Sequence, residues 1–131
     1  GRIIGEGYNR READRSPLAH AEIMAIDAAS RTLGGWRLLD SALYVTLEPC
    51  PMCAGAILHA RLEQVVYGTA DPKGGAVDSV EQLFTLPYNW TPEVHAGLLQ
   101  AECAQILRDF FRDLRLKKQA EKIARNGISM L

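Results

Sequence analysis

The chain lacks the features that mark membrane proteins and disulfide-stabilised proteins. None of its uncharged apolar runs approaches the ~18 residues that cross a bilayer. Its three cysteines, Cys50, Cys53 and Cys103, are an odd number without a disulfide framework, which favours a reducing compartment. The net charge is only −1, so any nucleic-acid binding must come from a local patch. These absences favour one globular domain in the cytoplasm with no membrane partner.

Strand and helix patterns alternate along the chain, which predicts a layered α/β domain. The predicted strands are residues 2–9, 43–47, 64–68 and 94–96. The predicted helices are residues 20–33, 51–59 and 98–116, with a helical turn at 80–84 and a polar continuation over 117–125. In the helix over 98–116, one apolar stripe is expected to face the core, and it consists of Leu99, Cys103, Ile106, Phe110 and Leu114.

Cys50 and Cys53 lie three residues apart at the start of a predicted helix, in the run PCPMC. This spacing places both side chains on one face, and a helix N-terminus favours the thiolate, which is the form that binds metals. Alone, the pair is equally compatible with a redox pair, half of a structural zinc site or two buried cysteines. A structural zinc site would need further Cys or His at short spacing, and Cys103 is far along the chain without a partner.

His20 and Glu22 begin the preceding helix, in the run HAE. Positions i and i+2 point apart on a helix, so both serve one site only if that site lies off the helix N-terminus. The cysteine pair makes the same demand, which predicts two helix starts converging on one zinc ion. One His and two Cys leave an open fourth position for water, as in catalytic zinc sites. The alternatives are that His20 caps its helix and that Glu22 stabilises the helix dipole.

The order H-x-E…P-C-x-x-C is a recognised signature of zinc-dependent nucleobase deaminases. In that chemistry zinc activates water for attack on the ring carbon that bears the amine. Glu22, which is not a ligand, would take the water proton, protonate the ring nitrogen and help ammonia leave. The sequence therefore predicts one zinc ion per chain, held by His20, Cys50 and Cys53.

Longer runs around this signature resemble the bacterial tRNA-specific adenosine deaminase (TadA) family of the cytidine deaminase-like zinc deaminases. They are LYVTLEPCPMCAGAILHAR at 43–61, VVYGTADPK at 65–73, HAEIMA at 20–25, WRLL at 36–39 and ECAQILRDFFR at 102–112. The resemblance covers nearly the whole chain. It implies a three-layer α/β/α fold with a central mixed sheet, a deaminase domain over 1–116, and a basic helical extension or tail over 117–131. It also implies a cytoplasmic homodimer.

The resemblance further implies hydrolytic deamination of adenosine to inosine at the wobble position of a tRNA anticodon, with the base splayed out towards the zinc. Asn9 would hydrogen-bond the purine, while Leu47, Pro49 and the backbone of Ala21 would line its pocket. The other residues that match the family's RNA contacts are Asp71 and Lys73, in a loop beside the anticodon nucleotides, and Phe111 and Arg112, on the C-terminal helix.

The last predicted helix carries charge that suits RNA. Residues 108–125 contain seven Lys or Arg against three Asp or Glu, so basic side chains could follow phosphates while an aromatic ring stacks on a base. Such basic tails also occur on helices where they only stabilise the dipole, and Phe110 would then belong to the core. Two other interpretations stay open. One is a small-molecule nucleobase deaminase such as a guanine deaminase, and the other is a zinc-stabilised RNA-binding fold without turnover.

The chain departs from the family pattern in two places. The family usually has a helix and a strand before the residue that matches Gly1, and that strand lies inside the sheet. We therefore expect either that the chain begins partway through a longer protein or that something else fills the gap in the sheet. In addition, Ala70 and Trp90 replace the Arg and His that the family often has, so the tRNA contacts there are expected to differ.

Overall fold

Three parallel strands form the centre of the computed structural model, which describes residues 1–126. The elements in chain order are α1 (Ala21–Leu33), β1 (Ala42–Leu47), α2 (Pro51–Ala60), β2 (Gln64–Thr69), a 3₁₀ turn (Leu83–Thr85), β3 (Glu93–Ala96) and α3 (Gln100–Asn126). The strand order is β1-β2-β3, and both pairings are parallel. The α/β fold is confirmed, but the sheet is parallel throughout the described residues, where a mixed sheet was expected.

The sequence sets the ends of the two helices that carry the signature residues. Glycine ends α1, because Gly34 adopts the left-handed conformation (φ 75°) and its N–H bonds to the carbonyl oxygen of Ser30. Pro51 begins α2, since its fixed φ suits the first helical position. Arg61 ends α2 in the left-handed conformation, with φ 60°. The end of α1 and both ends of α2 are therefore defined by local sequence.

Helices cover both faces of the sheet. On one face, the core cluster joins Leu43, Val65 and Tyr67 of the strands to Ala54 and Ile57 of α2, and α1 packs against α2. The opposite face carries α3, because a Cβ atom on Gly68 would overlap the Sγ atom of Cys103. This arrangement gives the predicted three layers.

The strand predicted over residues 2–9 is wrong. This segment has no regular structure and lies across α1, where its glycines allow backbone to touch backbone. A Cβ on Gly5 would lie 2.5 Å from the carbonyl oxygen of Ala25, and one on Gly7 would overlap that of Ala21. Within residues 1–126, β1 pairs on one side only, and a cavity of about 1100 Å³ is lined by this segment, α1 and β1. The segment therefore does not pair with the free edge of β1, which lines the same cavity.

The last helix is longer and less buried than the sequence predicts. Helix α3 is continuous over both the apolar stripe and the polar continuation; residues 127–131 of the predicted tail lie outside the described residues. The stripe does not enter the core, since Ile106 and Phe110 are 60% and 57% exposed. Helix α3 contacts β2 and β1, but none of its residues is buried. The helical turn predicted over 80–84 is a 3₁₀ turn shifted to Leu83–Thr85. Among the described residues, no helix is long and apolar enough to span a membrane.

Candidate active site

The N-termini of α1 and α2 meet beyond the carboxyl end of β1. His20 is the N-cap residue of α1, Cys50 is the N-cap residue of α2, and Cys53 lies in the first turn of α2. The side chain of neither N-cap residue bonds to its own helix. The interpretation of His20 as a side-chain cap is therefore wrong, and its imidazole is available for another role.

The three side chains form a compact donor cluster. His20 Nδ1 lies 3.6 Å from Cys50 Sγ and 3.6 Å from Cys53 Sγ, and the three ligand atoms all lie within 4.8 Å of one another. A tetrahedral zinc with Zn–S of ~2.3 Å and Zn–N of ~2.0 Å separates nitrogen from sulfur by about 3.5 Å. The donor types and their spacing therefore fit one tetrahedral zinc ion. It is the one such cluster found in the part of the chain that the structure describes.

Cys53 and Glu22 share a buried, negatively charged environment. Burial raises the pKa of the Cys53 thiol, and the charges of Glu22 and Cys50 raise it further. A bound divalent cation would lower the pKa of this thiol, because it deprotonates a coordinating thiol outright. Glu22 is itself 9% exposed, and it lies close enough to Cys53 for its charge to raise the pKa of that thiol. A carboxylate this buried is uncommon without a partner, which supports a role at the cluster rather than only at the helix dipole.

The residues predicted to line the base pocket lie at or just before the N-termini of α1 and α2. Ala21 opens α1, Leu47 ends β1, and Pro49 is fully buried between β1 and Cys50. Asn9 is exposed, and its side-chain oxygen accepts a hydrogen bond from the backbone N–H of Arg11 at 2.9 Å. The adjacent backbone bond from Arg10 to Ala19, also 2.9 Å, holds this stretch next to the start of α1.

Asp71 and Lys73 lie in a loop after the end of β2, which we call the 71–79 loop. The Asp71 carboxylate accepts hydrogen bonds from the backbone N–H groups of Lys73 and Gly74, each at 3.2 Å, so it shapes the turn. Lys73 is exposed, and its side chain is free to meet a ligand. The backbone N–H of Ala76 donates to the carbonyl oxygen of Pro49 at 2.9 Å, which joins the loop to the segment before Cys50.

Phe111 and Arg112 are not part of this assembly. Arg112 pairs with Asp109 and Asp113 of its own helix, at 3.6 and 3.4 Å, and Phe111 stacks edge-on with Phe110. These contacts do not reach the His–Cys cluster. The role of both residues in RNA binding stays a prediction.

Sequence reasoning missed one buried polar residue next to the cluster. Glu48, only 2% exposed, stands between β1 and Cys50 and accepts hydrogen bonds from the 71–79 loop. Burial disfavours its ionised form, but the bonds from Asp78, Ser79 and Asp71 outweigh burial and lower its pKa to about 2. The signal was present, because a carboxylate that directly follows an apolar strand must be paired when it is buried.

The family model of MafB19-like deaminases matches residues 1–115. Among curated proteins, the tRNA-specific adenosine deaminase of Bacillus subtilis (strain 168) is 48% identical over 123 residues, covering 93% of this chain and 76% of that protein. The protein of the same description from Haemophilus influenzae is 46% identical over 128 residues, covering 97% of this chain and 74% of that one.

Solved structures of deaminases also match this chain. A structure from studies of A-to-I editing by tRNA:A34 deaminases matches with a TM-score of 0.78 and 47% identity, covering 81% of this chain and 78% of the other. A guanine deaminase from Nitrosomonas europaea matches with a TM-score of 0.61 and 27% identity, covering 79% of this chain and 63% of the other.

Proposed function

This chain belongs to the tRNA-specific adenosine deaminase family, and we propose that it converts adenosine to inosine at the wobble position of a tRNA anticodon by zinc-dependent hydrolysis. The observation that carries the proposal is the position of His20 Nδ1, 3.6 Å from each of the two cysteine sulfurs. Glu22, buried beside this cluster, supplies the acid-base group that a hydrolytic deaminase needs.

His20, Cys50 and Cys53 would hold one zinc ion per chain. A zinc ion held there would supply a hydroxide nucleophile at neutral pH, because it lowers the pKa of its bound water to roughly 7. Glu22 accepts the proton that water loses and delivers it to the ring nitrogen next to the reacting carbon. It then moves the remaining proton of the added hydroxyl group to the amine as the bond between the ring carbon and that amine breaks, so that adenosine and water give inosine and ammonia. Burial of Glu22 keeps bulk water away from these transfers.

The substrate contacts are proposed from the family resemblance. Asn9 would hydrogen-bond the purine, and Ala21, Leu47 and Pro49 would line its pocket. Asp71 and Lys73 would flank the neighbouring anticodon nucleotides. Phe111 and Arg112 would contact the RNA from α3. The same resemblance supports a homodimer in the cytoplasm. Light scattering of the purified protein tests whether it is a dimer.

Guanine deamination is the second candidate, because a guanine deaminase shares the fold at 27% identity. The two reactions are separated by measuring ammonia release from the zinc-loaded protein with a tRNA transcript and with free guanine. The proposal predicts ammonia from tRNA and none from guanine. A transcript whose wobble adenosine is replaced by guanosine is the matched control and should release none. Turnover of guanine without turnover of tRNA would replace the proposal with the second candidate.

A further inference from the structure

Glu48 connects the junction between β1 and α2 to the 71–79 loop through one buried carboxylate. Its Oε2 atom accepts backbone N–H bonds from Val77, Asp78 and Ser79 at 3.1, 2.9 and 3.0 Å. Its Oε1 atom accepts the N–H of Asp71 at 3.0 Å and the hydroxyl of Ser79. Within residues 1–126 it has no ion-pair partner, so these hydrogen bonds alone satisfy its charge.

The bonds hold the loop at both of its ends. Asp71 begins the loop and Val77–Ser79 end it, so one side chain fixes the distance between the two. Gly75 lies against the carboxylate so closely that a Cβ atom there would overlap it. The bond from Ala76 N–H to the carbonyl oxygen of Pro49 adds a second connection to the same junction.

The position of Glu48 relates this loop to the metal cluster. Glu48 lies two residues before Cys50 in the chain, and Pro49 between them is fully buried. Movement of the carboxylate would therefore move the loop relative to the cysteine ligands. The loop presents Lys73, which is exposed, and Asp71, whose side chain shapes the turn around it.

We infer that Glu48 is a positioning residue for the proposed reaction. It fixes the 71–79 loop against the segment that carries the cysteine ligands, so that Lys73 and Asp71 meet the nucleotides that flank the target base. This inference rests on the proposed function, and it assigns Glu48 to substrate binding rather than to the chemical step. Its loss should therefore raise KM for tRNA while zinc content and kcat change little.

Glu48→Gln is the discriminating variant, because glutamine keeps the size of the side chain but has one acceptor atom. If its oxygen keeps the bonds to Val77–Ser79, its NH₂ group faces the N–H of Asp71, and two donors then oppose each other. The start of the loop is released while the end stays bound. Since one bond to a charged acceptor is lost, we expect KM to rise roughly tenfold, with kcat within about twofold of wild type.

Two readouts separate positioning from general destabilisation. Amide hydrogen exchange should become faster at residues 71–74 of the variant and stay unchanged in α2. Lys73→Ala should raise KM in the wild type and have a much smaller effect in the Glu48→Gln background, since the loop no longer presents Lys73. Glu63→Gln, an exposed Glu at the other end of β2, is the matched control and should change neither KM nor exchange.

Several outcomes would overturn the inference. A folded Glu48→Gln variant with unchanged KM and unchanged exchange at residues 71–74 would do so, as would loss of zinc, which would assign Glu48 to the metal site. If the variant does not fold, Ser79→Ala removes only the hydroxyl bond, and unchanged exchange and KM would then contradict the inference. Hydrogen exchange needs no turnover. If the protein does not deaminate tRNA, the proposed function is contradicted, but hydrogen exchange still tests whether Glu48 holds the 71–79 loop.

Discussion

Glu22 is buried at the start of α1 beside Cys53, yet it does not supply one of the three clustered ligand atoms. It is therefore the side chain available for proton transfer. We expect Glu22→Gln to lower kcat by roughly 10²–10⁴-fold, because general acid-base catalysis contributes about that much. Zinc content and tRNA affinity should stay at the wild-type level.

Asp27→Asn on the same helix is the control for Glu22→Gln. Asp27 is exposed and pairs with Arg31 at 3.0 Å on the surface of α1, so its neutralisation should leave turnover unchanged. Ammonia release, metal analysis and a tRNA binding titration measure the three quantities. Wild-type turnover by Glu22→Gln would remove the catalytic role.

A second test compares the zinc content of two cysteine variants. Cys50→Ala removes a ligand and should reduce bound zinc far below one ion per chain. It should also lower the melting temperature, because zinc binding contributes to folding free energy. Cys103→Ala should keep its zinc, since Cys103 lies on α3 against Gly68 and outside the cluster. Equal zinc content in both variants, measured by atomic emission, would contradict the ligand assignment.

At this scale the sequence predicted the cluster better than its surroundings. The order of His20, Glu22, Cys50 and Cys53 matched a deaminase signature, and that signature required two helix starts to converge on one point. Glu48 was missed because its partners are backbone N–H groups about thirty residues away, which no side-chain pattern reveals. Its role depends on the path of the 71–79 loop.

Among the elements, the N-terminal segment differs most from its prediction. Gly5 and Gly7 lie against the backbone of α1, close to the helix start that carries His20 and Glu22. A Cβ on Gly7 would overlap the carbonyl oxygen of Ala21, so we expect Gly7→Ala to lower the free energy of unfolding by about 1–3 kcal/mol.

Gly35→Ala is the matched control for Gly7→Ala, because nothing lies within 4 Å of a Cβ at that position. Denaturant unfolding of both variants tests the contact. A Gly7→Ala protein as stable as Gly35→Ala would show that the segment does not pack on α1 in solution.

Helix α3 carries the basic charge expected to meet RNA. Residues 117–126 contain Lys117, Lys118, Lys122 and Arg125 against Glu121, and all of them are exposed. Replacing Lys117, Lys118 and Lys122 with Gln should weaken tRNA binding and flatten its dependence on salt, because fewer phosphate counterions are released. The melting temperature should change little, since α3 contains no buried residue. Unchanged binding at every salt concentration would contradict an RNA role for this part of α3.

Helix and strand positions were predicted well where periodicity is local. Helix α2, β2 and β3 begin within a residue or so of their predicted limits, because proline, glycine and apolar runs define them. The prediction of a strand over residues 2–9 was wrong, because a strand needs a neighbouring strand to pair with, and the sequence pattern does not show whether one is present. The predicted burial of the apolar stripe of α3 was wrong for a related reason. Such a stripe indicates which face of a helix could pack against another element, but it does not show that any element covers that face.

For the whole molecule, the α/β layering followed from the order of elements, and the position of the site followed from the sheet. In a parallel sheet the carboxyl ends of the strands lie at one edge, where ligands of such folds bind. The Cys50–Cys53 segment leaves β1 there, and the 71–79 loop leaves β2 there. Because the strands are adjacent, one carboxylate at the end of β1 can hold the loop that follows β2.

The central claim is hydrolytic deamination of the wobble adenosine by Glu22 and a zinc ion at His20, Cys50 and Cys53. The most direct measurement is nucleoside mass analysis of tRNA incubated with the zinc-loaded protein in water labelled with heavy oxygen. The account predicts inosine at the wobble position, carrying one labelled oxygen per conversion, and none after the metal is chelated. Unmodified adenosine at that position, from a folded protein with one zinc ion per chain, would contradict it.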